Sequence, residues 1–249
     1  MPAPTAKSSL PLQATMPSRT AIAALAQDED DFSAAETLTD GFRTWLSQLH
    51  VTAGCALVLH APLLVFAFLP DLPALAVIGA FAAAAIAVAG VVQGALVKAV
   101  LDQERSLPSD LGELLQAALR NAPRAISLHF TVIAGVLGRL LMLVMPGLRY
   151  LCDTFVALPA LVAEEKSVGS ALDRSARLAR GARARILVVC VVPWTTAALV
   201  AASSGVFGQS SFEDLPWLIA FIFARALDTS LAATLATTTY SRLCSRPGN

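Results

Sequence analysis

Residues 74–97 and 186–205 contain no charged side chain. Each is at least as long as the roughly 18–20 residues that a helix needs to cross about 30 Å of hydrocarbon. A soluble core can hide one helix that is apolar all round, but not five or six of them. Charged residues make up 14% of the chain and hydrophobic ones 56%, where a soluble domain carries about 25% charged residues. Mean hydropathy is +0.66. These features predict an all-α integral membrane bundle of about six transmembrane helices, with short interfacial amphipathic helices.

The expected domains are a disordered cytoplasmic tail (1–37), a six-span membrane domain (38–245) and a short C-terminal tail (246–249). The first 27 residues are rich in Pro, Ser, Thr and Ala, and an acidic cluster follows at 28–31. The opening lacks the apolar core of a signal peptide. Phe42, Trp45, Leu46 and Leu49 repeat at helical spacing, which predicts a helix lying in the interface before the first span. Spans are expected at about 51–69, 74–101, 125–145, 148–163, 186–203 and 215–240. Pro70–Pro73 reads as a turn, 109–120 as a polar helix, and the Ser-Gly stretch after 203 as another turn. Helix breaks are expected at Pro146, Gly147 and Pro159. Gly90-x-x-x-Gly94 allows a close helix crossing.

Basic residues then orient the bundle. Of 18 Lys and Arg, all but Arg139, Arg149 and Arg225 fall in segments that share one side if the N-terminus is inside. The outer turns hold only Asp71, Glu213 and Asp214. By the positive-inside rule both termini are cytoplasmic and the protein belongs to the inner (plasma) membrane. The 148–163 segment is short, and its rival reading is a re-entrant hairpin. That reading would return the chain to the outer face and strand the basic stretch 164–185 outside.

Pro146-Gly-Leu-Arg-Tyr, Ala157-Leu-Pro-Ala-Leu-Val-Ala-Glu164 and Ala171-Leu-Asp-Arg-Ser175-x-x-Leu178-x-x-Gly181 form one series. The series resembles the signature of a bacterial membrane-domain family. That family is found fused to some glycerophosphodiester phosphodiesterases and in related stand-alone six-span proteins. The likeness covers about 40–245, with its specific part near 146–181. It implies a fold and a membrane but no catalysis, because in the fused proteins the chemistry belongs to a separate soluble barrel.

The residues themselves offer no catalytic set. His50, His60 and His129 are scattered, and Cys55, Cys152, Cys190 and Cys244 form no CxxC pair, so no metal, cofactor or nucleic acid is expected. Charges inside the spans are the anomaly, since each costs roughly 2.5–3.5 kcal/mol near the bilayer centre unless paired or wet. Arg225 and Asp228 are i, i+3 neighbours. Arg139 and Asp153 each lie seven residues from Pro146, which predicts equal depth and a pair. Such charges serve either as register pins or as the lining of a polar cavity. The basic segment Lys166, Arg174, Arg177, Arg180, Arg183 and Arg185 is expected to contact anionic lipid headgroups. Within it, 168–180 should lie on the inner surface with Leu172 and Leu178 in lipid. The leading functional reading is a non-enzymatic structural or regulatory membrane domain that contacts anionic lipid or a membrane protein partner. The runner-up is a small transporter or channel using Arg139, Asp153, Arg225 and Asp228.

Overall fold

A computed structural model describes residues 32–68, 74–107, 111–207 and 215–246, and helix is the only regular secondary structure among them. The turns expected around Asp71 and at Glu213 and Asp214, and residues 1–31 of the expected tail, lie outside the described residues.

The ordered fold starts earlier than position 38. Phe32 is buried, and α1 (Ala34–Ser47) begins behind the extended N-cap Ser33, whose hydroxyl accepts from the Glu36 amide. Helix α2 (Leu49–His60) follows at a bend of 75°. It gives way to a 3-10 segment, Ala61–Phe68. Pro62 accounts for that change: it lacks an N–H, and its ring crowds the Val58 carbonyl four residues back.

Helix α3 spans Ala74–Glu104 and α4 spans Leu111–Met142. The polar helix and third span expected as separate elements are thus one helix, continuous through Pro123. Leu114, Ala117, Ala118, Ala125 and Leu128 are all buried at spacings of three, four and seven, so an unbroken helix keeps one stripe on the core. Gly90 and Gly94 of α3 meet Ala125 of α4. A Cβ on Gly90 would stand 3.1 Å from the Ala125 carbonyl oxygen, and one on Gly94 3.7 Å from the Ala125 Cβ.

The expected breaks move upstream. Helix α4 stops at Met142, Leu143 is extended (φ −161°, ψ 141°), and α5 (Val144–Thr154) carries Pro146 and Gly147 in its first turn. A proline ring collides with the carbonyl four residues back, here Met142, so the chain breaks before the proline rather than at it. The same rule places the next break at Phe155–Val156, four residues ahead of Pro159, which sits in the first turn of α6 (Ala157–Ala163). Gly147 acts differently: a Cβ there would lie 2.6 Å from Leu140 side-chain carbons, so it lets α5 fold back tightly on α4. The corner exposes Leu141, Met142, Leu143, Val144 and Met145.

After α7 (Val168–Leu178), α8 covers Arg183–Phe207, continuing past the turn expected at 203, and α9 covers Leu215–Cys244. Helix α9 is central, packing on α1, α2, α3 and α8. Over its most apolar stretch 56% is buried, against 17% for α4, which lies at the periphery. Three of its buried hydroxyls turn back on their own helix: Thr234, Thr237 and Thr239 donate to carbonyls four residues earlier at 2.7–2.9 Å. Among the described residues three helices are long and apolar enough to cross a membrane, or four if the bent Ala34–Ser47 and Leu49–Val65 pair counts as one.

Candidate functional site

Six helices leave a cavity of about 300 Å³ between them. Most of the wall is apolar, from Ala85, Ile86 and Ala89 of α3, Leu128, Val132 and Ile133 of α4, and Leu151, Phe155 and Leu158 around the α5–α6 break. Polar groups enter from four sides: Gln93 on α3, His129 on α4, Thr154 on α5, and Arg225 and Asp228 on α9. Trp194 follows Pro193 on α8 and lines the same space.

The ion pair expected on sequence spacing sits in this wall, with Arg225 Nη1 2.8 Å from Asp228 Oδ2. The other carboxylate oxygen lies 2.6 Å from the Thr196 hydroxyl on α8. Asp228 is buried, so each oxygen needs such a partner. His129 Nδ1 lies 3.3 Å from the Ala125 carbonyl and is placed to donate to it, leaving Nε2 available. Thr154 donates to the Tyr150 carbonyl at 2.9 Å. Gln93 has no hydrogen-bond partner among the described residues.

Arg139 and Asp153 do not pair. Arg139 Nη1 donates to the Gly135 carbonyl at 3.1 Å, and its guanidinium lies 3.8 Å from the Tyr150 ring centre. A Cβ on Gly135 would come within 2.5 Å of that ring, so the glycine makes room for the stack. Asp153 is taken by Arg183 at the start of α8, with Nε 2.6 Å from Oδ1 and Nη2 3.4 Å from Oδ2. Arg149 approaches it only to 3.9 Å. The expectation measured both from Pro146, but the chain breaks at Leu143, four residues from Arg139 and ten from Asp153, so the two do not share a depth.

The basic segment is also largely spoken for. Lys166 and Arg174 both bind Glu164, the latter at 3.0 Å, and the Tyr240 hydroxyl donates to the same carboxylate at 2.7 Å. Burial pushes the Glu164 carboxyl up, but bonds from Lys166, Tyr240 and Arg174 outweigh it and bring the group down to about 2. The bond to Glu164 in turn raises Arg174 above its ordinary value, against burial. Arg185 donates to the Phe32 carbonyl at 3.2 Å. Arg177 and Arg180 remain exposed, with no polar partner among the described residues. Leu178 does not lie in lipid: it is buried in a core with Phe32, Cys152, Val156, Ile186, Tyr240 and Leu243, and Leu172 packs beside Ala171, Leu158 and Leu161. Ala171, Ser175 and Ala179 recur every fourth residue and are fully buried. That stripe of small residues was the readable signal that α7 docks on protein. No local signal announced the Glu164–Tyr240 contact, which joins residues 76 apart.

Compared with protein-family models, curated proteins and solved structures, the chain matches none.

Proposed function

We propose that the chain is a non-enzymatic, multi-pass protein of the inner membrane, with six spans and both termini cytoplasmic. In this reading the bundle is a structural or regulatory domain that meets anionic lipid and membrane partners. The likeness of 146–181 to the membrane domain of glycerophosphodiester phosphodiesterases belongs to the same proposal. The observation that supports it best is the disposition of the basic segment. Glu164, Asp153 and the Phe32 carbonyl hold Lys166, Arg174, Arg183 and Arg185, fixing α7 as a platform with Arg177 on it and Arg180 just past its end, both exposed. Two such cations near an anionic leaflet contribute about 1 kcal/mol each.

The test is lipid retention. The full chain, extracted in mild detergent, should carry more anionic than zwitterionic lipid, and Arg177→Gln/Arg180→Gln should lose that excess. Equal anionic lipid in both proteins would count against the reading. Reporter fusions after residues 71, 108, 175 and 213 should read out, in, in and out.

A second reading, a protein that binds and moves a small solute, is favoured by one observation: polar groups from α3, α4, α5 and α9 line the same cavity. Interrupted helices beside it, here the α5–α6 break, are a recurrent feature of such sites.

A further inference from the structure

Inside an apolar bundle a polar group without a partner is costly, and those that persist need water or a ligand. Gln93 is such a group, since its carboxamide offers two donors and an acceptor to the cavity it lines and has no partner among the described residues. Arg225 spends one N–H on Asp228, leaving the rest of its guanidinium. Asp228 accepts from Arg225 and Thr196, and each of its oxygens keeps further acceptor capacity. Trp194 also lines the space, but it is 46% exposed, so its indole N–H carries no such cost.

The charges in the wall cancel. One guanidinium and one carboxylate line the cavity, so a ligand of net charge would leave itself or the wall uncompensated in a low-dielectric space. A ligand carrying both signs close together compensates both. Its anion takes the free N–H groups of Arg225 and Gln93, and its ammonium takes Asp228. The apolar part of the wall, among it Ile86, Leu128, Val132 and Leu158, accepts hydrocarbon, while His129 Nε2 adds one more polar contact.

We infer that this cavity binds a small zwitterion with an apolar side chain or tail, an ammonium next to a carboxylate or phosphate. The inference rests on the solute-binding reading and narrows it. Two sources have this chemistry, a free α-amino acid with an aliphatic side chain and the headgroup of a zwitterionic lipid.

The test uses the full chain in detergent and in nanodiscs, with binding read from thermal stabilisation and by calorimetry. The probes are L-leucine, its singly charged relatives N-acetyl-L-leucine (anion) and L-leucinamide (cation), and nanodiscs with or without phosphatidylethanolamine against phosphatidylglycerol. L-leucine should bind at least about tenfold more tightly than either relative, because each relative leaves one wall charge unanswered. Asp228→Asn should reverse the order, so that N-acetyl-L-leucine binds better than L-leucine, an outcome that general loss of packing would not give. Ala232→Leu fills the cavity without touching the ion pair and should abolish binding while the unliganded melting point stays within a few degrees. Stabilisation by phosphatidylethanolamine alone, lost in Ala232→Leu, supports the zwitterion and assigns the lipid source. Equal binding of L-leucine and N-acetyl-L-leucine by the native protein overturns the zwitterion and leaves the solute-binding reading standing. No response to any probe or lipid, with Ala232→Leu indistinguishable from the native chain, overturns both.

Discussion

Glu164 gathers three partners from three parts of the chain, so its removal gives a calculable effect. In Glu164→Gln the amide keeps the shape but not the charge that holds Lys166, Arg174 and Tyr240. Lowering a carboxyl from its ordinary 4.5 to about 2 corresponds to about 3 kcal/mol if none of it is screened. Water reaches the cluster, with side-chain exposures of 23–29%, and screening reduces the figure to about 1–2 kcal/mol. The sign follows from the direction of the shift. A carboxyl depressed in the folded state stabilises the fold above its unfolded value and loses that contribution as pH falls toward its folded value. The native protein should therefore exceed Glu164→Gln by about 1–2 kcal/mol near pH 7, and the gap should shrink by more than half by about pH 3. Detergent-solubilised protein, unfolded by SDS titration at stepped pH, gives both curves, and the other carboxyls cancel in the difference. A gap that stays constant between pH 6 and pH 3 would refute the reasoning, since the effect would then come from shape rather than ionisation.

Three further outcomes follow from the packing. Asp153→Asn with Arg183→Gln should show a coupling of about 1–3 kcal/mol in a double-mutant cycle, whereas Asp153→Asn with Arg139→Gln should be additive to within about 0.5 kcal/mol. Gly135→Ala places a methyl against the Tyr150 ring and should cost about 1–3 kcal/mol in unfolding titrations, partly recovered by Tyr150→Leu. Trp45→Phe removes the 2.8 Å bond from Nε1 to Ser230 Oγ and should cost about 1 kcal/mol; no change in the unfolding midpoint would mean the bond is not made in the membrane.

Apolar runs made two long helices legible to within a few residues: α3 covers 74–104 where 74–101 was expected, and α9 215–244 where 215–240 was; the first, third and fourth expected spans are divided or merged differently. What they could not supply was where the chain breaks and the direction around each axis. The break at Leu143 leaves Arg139 four residues away and Asp153 ten, and one turns onto Tyr150 while the other turns toward Arg183. The apolar face of α7 was readable from Ala171, Leu172, Ser175, Leu178 and Ala179, but not what covers it. Burial of that face against Ile186 and Leu243 depends on helices brought together only by the whole fold. The cavity was legible as a possibility through Arg225 and Asp228. Gln93 and His129 join it because α3 and α4 cross closely at Gly90.

Helix α1 is held by the far end of the chain. Trp45 donates to Ser230, Gly41 receives Leu235, and Glu36 and Asp40 meet Arg242 across sequence separations of about two hundred residues. A ribosome adding about 5–20 residues per second takes on the order of 10–40 s to bridge that interval. Through all of it the nascent chain carries α1 with an unmatched acidic edge and an exposed Phe42 and Trp45 surface. The last turns of α9 close the bundle, so a chain stalled or clipped before Ser230 holds α1 only through Phe32 and α8. Chains cut before Ser230 should therefore be cleared by proteolysis faster than the full chain while their earlier long helices are intact.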